Sequence, residues 1–525
     1  MRTAFGFAVA ALAWLRFSEN SADNDLWGHV LYGQRVLLLG GLEHTEVLSW
    51  TAAGLPWINH EVWAEVFFGF VHRLAGGTGL WLAMLGLAAI TVIPAWRAGR
   101  VRDPAQRLTT LGLFAISINA IALGYAVRPQ LFTMLLLVLT LLALRALFAG
   151  RAHWGWAVPV GFAAWANLHG GYFAGWILLG GAVGAEAVVR AWPSAGRIVG
   201  VTATGGPSLG RLAAIVALAT GALLLNPWGL DLVRWTWQTL LLPRPQIAEW
   251  HAPGLGGPAI GVYLLLLISV VGWLGSRQPR RAWEAVTLAL LAGMAVLQLR
   301  HAPLFALANL IFTPPHLADA LRRLAPHAES LRGWRQRRIV VLPLAGALVA
   351  AGVLALGASL PPARPAPFTI AVPKDTYPVT AIAFMREHGL TGRTLTFFDW
   401  GQMVLWELPH NPVSFDGRLD TVYPDAIRDA HWRFYAGDDP GPALDLAAAA
   451  VALLPTGYGA VDRLRLTGWT LVYRDPLASI LVRDPVAYPA LATLRRPMQL
   501  GPAATAGRAR FPDQPSLLAT EQRPR

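Results

Sequence analysis

Long apolar runs separated by short polar joints fill the first two thirds of the chain, near 1–17, 78–96, 108–126, 130–148, 154–168, 171–189, 211–225, 259–275, 282–299, 302–314 and 339–359. A helix crosses a bilayer with about 20 apolar residues, so the pattern predicts a polytopic α-helical membrane protein of about eleven transmembrane helices. The first run, "MRTAFGFAVAALAWLRF", lacks a convincing small-x-small cleavage site before Ser18-Glu19-Asn20 and reads as a retained helix. After Pro361 the pattern changes. "PPARPAPF" is a stiff linker, and short apolar strands then alternate with helix-like stretches; "WTLVYRDPLASILVRD" reads as a hairpin around Asp475-Pro476. The chain therefore divides into a membrane domain, 1–360, with a first outer loop at 18–77; a small α/β domain, 361–500; and a disordered tail, 501–525.

Composition supports the membrane reading. The 525 residues are 55% hydrophobic and 14% charged, against roughly 25% charged in soluble domains. The net charge of +13 would suggest nucleic acid in a soluble protein, but here the arginines cluster in alternate joints, as the positive-inside rule requires. Arg97, Arg100, Arg102 and Arg107 fill one such joint, and Arg277, Arg280 and Arg281 another. This places the N-terminus in the cytoplasm, and the loops at 18–77 and 226–258 with the C-terminal domain outside, in a plasma membrane. Lys374 is the single lysine, a bias toward arginine and alanine that suggests a GC-rich bacterial genome. With no cysteine, disulfides and thiolate metal sites are excluded.

The candidate chemistry lies in the outer loops. In "SADNDLWGHVLYGQRVLLLGG" Asp25 and His29 stand i, i+4 and share a face of the predicted helix that starts at Leu26 and lies along the membrane surface. Capping explains Asp23 and Asn24 cheaply; Asp25 is the candidate for chemistry. His60, Glu61 and Glu65 begin a second helix that runs into the next span, and "HEVWA" lacks the second histidine of a zinc-protease motif because position 64 is Ala. Glu65 and His72 read as a solvated helix face. Arg128 in "AVRPQ" and Arg300 in "LQLRHAPLF" sit in tight turns, where each either snorkels to head groups or clamps a phosphate. His169 reads as a structural histidine as readily as a ligand, and Glu186 with Arg190 as an i, i+4 ion pair. In "DWGQMVLWELPHNPVSFDGRLDTVY" (399–423), Asp399, Asp416, Arg418 and Asp420 fall where strands meet turns, so caps and turn chemistry are their first explanation and an accessory acceptor-binding or domain-docking role the second.

The "DND" of 23–25 directly after the first span, the following helix, the many spans and the outer C-terminal domain together resemble the GT-C membrane glycosyltransferases. The run "DLWGHVLYGQ" with "HTEVLSWTAAGLPWINHEVWAEVFF" resembles bacterial relatives of the protein O-mannosyltransferase and aminoarabinose-transferase group. The resemblance implies a GT-C-like fold and transfer of a hexosyl or pentosyl unit from a polyprenyl-phosphate-linked donor to a lipid, glycan or protein acceptor at the outer face. It implies Asp25 as general base or metal ligand, with Asp23 second. Arg128 and Arg300 then hold the donor phosphate, while His29, His60 and Glu61 orient the acceptor or, with Asp25, complete a site for a possible divalent ion. Leu26 stands where the protein O-mannosyltransferases carry a Glu beside the Asp, which disfavours protein O-mannosylation. A lipid or glycolipid transporter and a non-catalytic envelope-assembly scaffold are the competing readings. The transporter expects charges near mid-span; the scaffold expects Asp25→Asn to be tolerated.

Overall fold

The computed structural model describes residues 2–18, 20–101, 107–240, 242, 244–256, 259–323 and 368–511. The run expected at 339–359 and the residues after 511 lie outside these. The chain forms two units: residues 1–19, 84–125 and 129–364 make the first, and 20–83, 126–128 and 365–525 the second.

The first unit is helical. Helices α1 (Arg2–Phe17), α2 (Leu26–Leu39), α3 (Val62–Gly99), α4 (Arg107–Ala122), α5 (Gln130–Phe148), α6 (Ala157–Leu168), α7 (Tyr172–Ala191), α8 (Pro193–Val199), α9 (Leu209–Ala222), α10 (Leu230–Thr239), α11 (Ile260–Gly275), α12 (Ala282–Leu297) and α13 (Ala302–Arg323) follow in chain order, α2 and the start of α3 belonging to the second unit. Every expected run within the described residues is a helix. Among the described residues, four helical segments are long and apolar enough to cross a membrane: Val62–Gly99, Gln130–Phe148, Tyr172–Ala191 and Leu299–Arg323. The helix expected at 302–314 continues to Arg323 because Pro314 and Pro315 do not end it. It is the core of its unit, packed on α4, α11 and α12. Small residues allow close approach: a Cβ on Gly272 of α11 would stand 3.2 Å from Leu317 Cα, and one on Gly99, at the end of α3, 1.8 Å from the Leu310 carbonyl oxygen.

The second unit is α/β. Strands β1 (Ala371–Pro373), β2 (Thr394–Thr396), β3 (Val451–Pro455), β4 (Thr470–Arg474), β5 (Ala478–Val482), β6 (Met498–Gln499) and β7 (Arg508–Arg510) build two sheets. The larger has the order β2-β3-β5-β4-β6, with β2–β3 and β4–β6 parallel and the two pairs around β5 antiparallel. The hairpin β4–β5 turns at Asp475, whose Oδ1 accepts from the backbone N–H groups of Leu477 and Ala478. Strand β7 pairs with β1 and Phe511 is buried, so the ordered fold continues past 500, where a tail was expected.

The first outer loop is an integral part of this unit. Ser21 bridges Ala371 of β1, and Ser49 bridges Val413, which in turn bridges Thr394 of β2. The loop thus extends both sheets by backbone pairing. Helix α2 is buried from Leu26 to Gln34, and only its end, at Leu38 and Leu39, is exposed. This corrects the surface-helix expectation, and glycine is the reason. A Cβ on Gly33 would stand 1.8 Å from the Glu65 carbonyl oxygen, and one on Gly69 2.6 Å from the Gln34 nitrogen. Backbones of α2 and α3 therefore meet directly, and the apolar face of α2 is consumed by protein.

Candidate active site

Strand pairing delivers the aspartates to a fixed position. The Ala22 N–H donates to the Ala371 carbonyl at 2.7 Å, and the Tyr377 hydroxyl donates to the Ala22 carbonyl at 3.1 Å. Asn24 then donates from Nδ2 to Asp399 Oδ1 at 2.8 Å, joining "DND" to the 399–423 tract. Asp23 does the local turn work, its Oδ1 accepting from the Asp25 N–H at 3.1 Å. Asp25 occupies the N-cap position of α2 without a side-chain cap bond. Its carboxylate is turned instead to Arg128, which donates from Nη2 to Asp25 Oδ2 and pairs through Nε with Asp23 Oδ1 at 3.1 Å. The other oxygen, Oδ1, lies where a Cβ of residue 417 would be, and Gly417 leaves that space open.

Burial dominates the electrostatics of Asp25 and pushes its carboxyl up to about 6, with Arg128 opposing the rise and Asp23 adding to it. A carboxylate that titrates near 6 is matched to proton transfer close to neutral pH. Beside it stands Gln402, buried, with an amide oxygen that lacks a hydrogen-bond partner. Its amide fills the space that a Cβ on Gly28 or Gly417 would need.

A second cluster sits one turn along α2. His29 Nδ1 lies 3.2 Å from Glu65 Oε1 and 3.9 Å from Glu61 Oε2. Burial pushes the imidazole pKa down, but its bond to Glu65 and the fields of Glu61, Glu65 and Asp25 outweigh this and leave it above the ordinary value. Asn59 donates to Glu65 Oε2 at 2.5 Å, and His60 Nε2 lies 3.4 Å from Glu61 Oε1. Glu65 and His72 are both buried, His72 bonding Gln34 at 2.9 Å. The solvated-face expectation is therefore corrected for both: α2 covers that side of α3. Asp25 pairs with the Arg128 guanidinium, whereas His29 faces the two glutamates.

A third cluster was read as turns. Arg418 is buried and forms forked bonds to Asp416, at 2.9 and 2.7 Å, and paired contacts with Glu46 of the first loop. Its guanidinium lies 5.1 Å from the Tyr32 ring and 5.0 Å from the Trp57 ring. The expected turn bond is present, Asp416 Oδ1 accepting from the Arg418 N–H at 3.0 Å, but turn chemistry alone does not account for a buried acid–arginine–acid network.

In the helical unit, Arg300 and Arg244 both lie over the Trp250 indole, at 4.3 and 4.1 Å. His169 is a satisfied structural residue, bonded to Thr133 and to the Gly171 N–H. Glu186 pairs with Arg190 at 2.8 Å.

Of the expected site residues, the structure brings together Asp23, Asp25 and Arg128 in one group and His29, His60 and Glu61 in the next. Glu65, Asn59, Gln402 and Gly417 join them unforeseen.

The fold is shared with a solved structure. The oligosaccharyltransferase of Archaeoglobus fulgidus, in its apo form, superposes with a TM-score of 0.55 over 92% of this chain and 75% of that one, at 11% identity. The chain shares the fold of this oligosaccharyltransferase. ArnT from Cupriavidus metallidurans, in the apo state, is similar at a TM-score of 0.49 over 92% of this chain and 97% of that chain, at 13% identity. No protein-family model matches the sequence, and no curated protein matches it. At such identities the GT-C likeness is one of architecture, so the chemistry rests on the residues described above.

Proposed function

We propose that this protein is a glycosyltransferase of the bacterial inner membrane that uses a polyprenyl-phosphate-linked sugar at the outer face, with Asp25 as general base. The observation that carries the reading is the state of Asp25: a carboxylate at a helix start that caps nothing, raised to about 6 by burial and held by Arg128. The N-terminus is cytoplasmic and the α/β unit extracytoplasmic, with about eleven spans in all.

In the reaction, Asp25 takes the proton of an acceptor hydroxyl or amine as that atom attacks the anomeric carbon. The bond from that carbon to the phosphate oxygen breaks, and its electron pair leaves on the phosphate. Arg128 sets the ionisation of the base and the orientation of its carboxylate. Arg128, beside Asp25, is also the cation that meets the charge building on the leaving phosphate. The acceptor is a lipid, a glycan or a protein.

The test is reconstitution in lipid with radiolabelled polyprenyl-phosphate sugars, following sugar release and transfer. Turnover supports the reading. Absence of both turnover and donor binding across hexosyl and pentosyl donors refutes it.

A further inference from the structure

We propose that Gln402 reads the attacking atom of the acceptor: its Nε2 donates a hydrogen bond to that atom, so the acceptor group is a hydroxyl and the product an O-glycoside. The inference rests on the glycosyl-transfer reading above and names its substrate class.

Close backbone approaches put Gln402 in place. A Cβ on Gly401 would stand 2.3 Å from the Phe415 carbonyl oxygen, so the short helix Gly401–Glu407 is pressed against the backbone at 415–416. The same helix packs on α2. Gln402, its second residue, is thereby carried between α2 and Gly417. Cβ atoms built on Gly28 and on Gly417 would each stand 2.9 Å from Gln402 Nε2. Glycine on both sides makes room for the amide, and a side chain at either position would expel it.

The hydrogen bonding of this amide is incomplete. Gln402 is 3% exposed, and its Oε1, turned to Gly28, lacks a hydrogen-bond partner. A buried polar group left open in this way calls for a reason, and a ligand supplies one. The nitrogen end faces the space over Gly417, which Asp25 Oδ1 faces as well: a Cβ there would stand 2.4 Å from the carboxylate oxygen and 2.9 Å from the amide nitrogen. Arg128 already holds the other carboxylate oxygen. Gly417 is half-buried and the Asp25 side chain keeps 15% of its surface, so the space is open to an incoming molecule. An atom standing off Gly417 meets a base on one side and an N–H donor on the other, at hydrogen-bond distances of about 2.7–3.0 Å. An ionised carboxylate across the gap favours this orientation of the amide, nitrogen toward Asp25.

Valence then selects the acceptor. A hydroxyl oxygen carries one proton and two lone pairs. The proton passes to Asp25 Oδ1. One lone pair forms the bond to the anomeric carbon, as the bond from that carbon to the phosphate oxygen breaks and its electron pair leaves on the phosphate. The second lone pair accepts from Gln402. An amine nitrogen has a single lone pair, which the attack consumes, and Gln402 Nε2 would be left facing an N–H. The donated bond also stabilises the negative charge that grows on the oxygen as its proton leaves.

The full-length protein in lipid, supplied with radiolabelled hexosyl and pentosyl polyprenyl phosphates, is offered two probe acceptors that are both uncharged at neutral pH, para-octylphenol and para-octylaniline. Expected is transfer to the phenol at least about tenfold faster than to the aniline. Gln402→Met keeps the length of the side chain and loses the amide. It should bind donor as wild type does, lose the preference, and slow both transfer to the phenol and release to water, itself an O–H acceptor, on the order of 10²-fold. Faster transfer to the aniline by wild type overturns the proposal and leaves glycosyl transfer standing, as do wild-type rates and preference in Gln402→Met. The wild-type comparison needs no variant, so it decides even if Gln402→Met does not fold. Transfer to neither probe, with no release of sugar to water, refutes glycosyl transfer and this inference with it.

Discussion

Gly417 and Asp25 touch: a Cβ at position 417 would stand 2.4 Å from Asp25 Oδ1, closer than any non-bonded contact allows. The clash is with the end of a side chain rather than with backbone, so the fold can yield there while the carboxylate cannot keep its place. Gly417→Ala is therefore expected to leave the unfolding midpoint close to wild type and to lower turnover on the order of 10²-fold, the effect of misplacing a reacting group by about 1 Å. Thermal unfolding beside a transfer assay checks this; loss of the fold, or full activity, contradicts it.

The two neighbours of Asp25 act on it with opposite signs. Arg128 lowers its pKa and Asp23 raises it. The base form grows as pH rises through about 6, so wild-type kcat/KM should climb over that interval. Arg128→Gln removes the lowering charge and moves the acidic limb to higher pH; Asp23→Asn removes the raising charge and moves it to lower pH. A pH–rate profile of the three proteins decides. Limbs that stay together, or move the other way, contradict the assignment.

Arg418 locks the first loop to the 399–423 tract through Glu46 and Asp416. Arg418→Met leaves two carboxylates buried without their partner, at a cost of about 3–5 kcal/mol. Denaturant unfolding of the second unit should show that loss, and limited proteolysis should reach the first loop sooner. A neutral effect would mean the network adds no stability.

The helix crossing at Gly33 makes a prediction of its own. Gly33→Ala pushes a methyl into the backbone of α3 beside Glu65 and should destabilise by about 1–3 kcal/mol. Unchanged stability would show that the crossing relaxes freely.

The helices and the hairpin were legible because each is written locally. An apolar run declares a buried or lipid-facing helix, and the Asp475-Pro476 turn sits between two short strands. The prominence of Asp25 and His29 was legible in the same way, from i, i+4 spacing. What stayed hidden lies far apart in sequence: Asn24 with Asp399, Glu46 with Arg418, Gly417 with Asp25. Glu65 and His72 look like residues of a solvated helix face. The signal that α2 covers them is Gly33, inside α2, and Gly69, between them on α3, which mark backbones in contact. Turn propensity misled at Asp416 and Arg418, because buried ion pairs and turns draw on the same residue types.

The central claim is that Asp25 is the base, and one comparison tests it most directly. Wild type and Asp25→Asn are reconstituted in lipid at matched folding, and single-turnover transfer from a radiolabelled polyprenyl-phosphate sugar is measured together with donor binding. The account predicts donor binding near wild type and transfer slower by about 10²–10⁴-fold. Transfer by Asp25→Asn at the wild-type rate would contradict it.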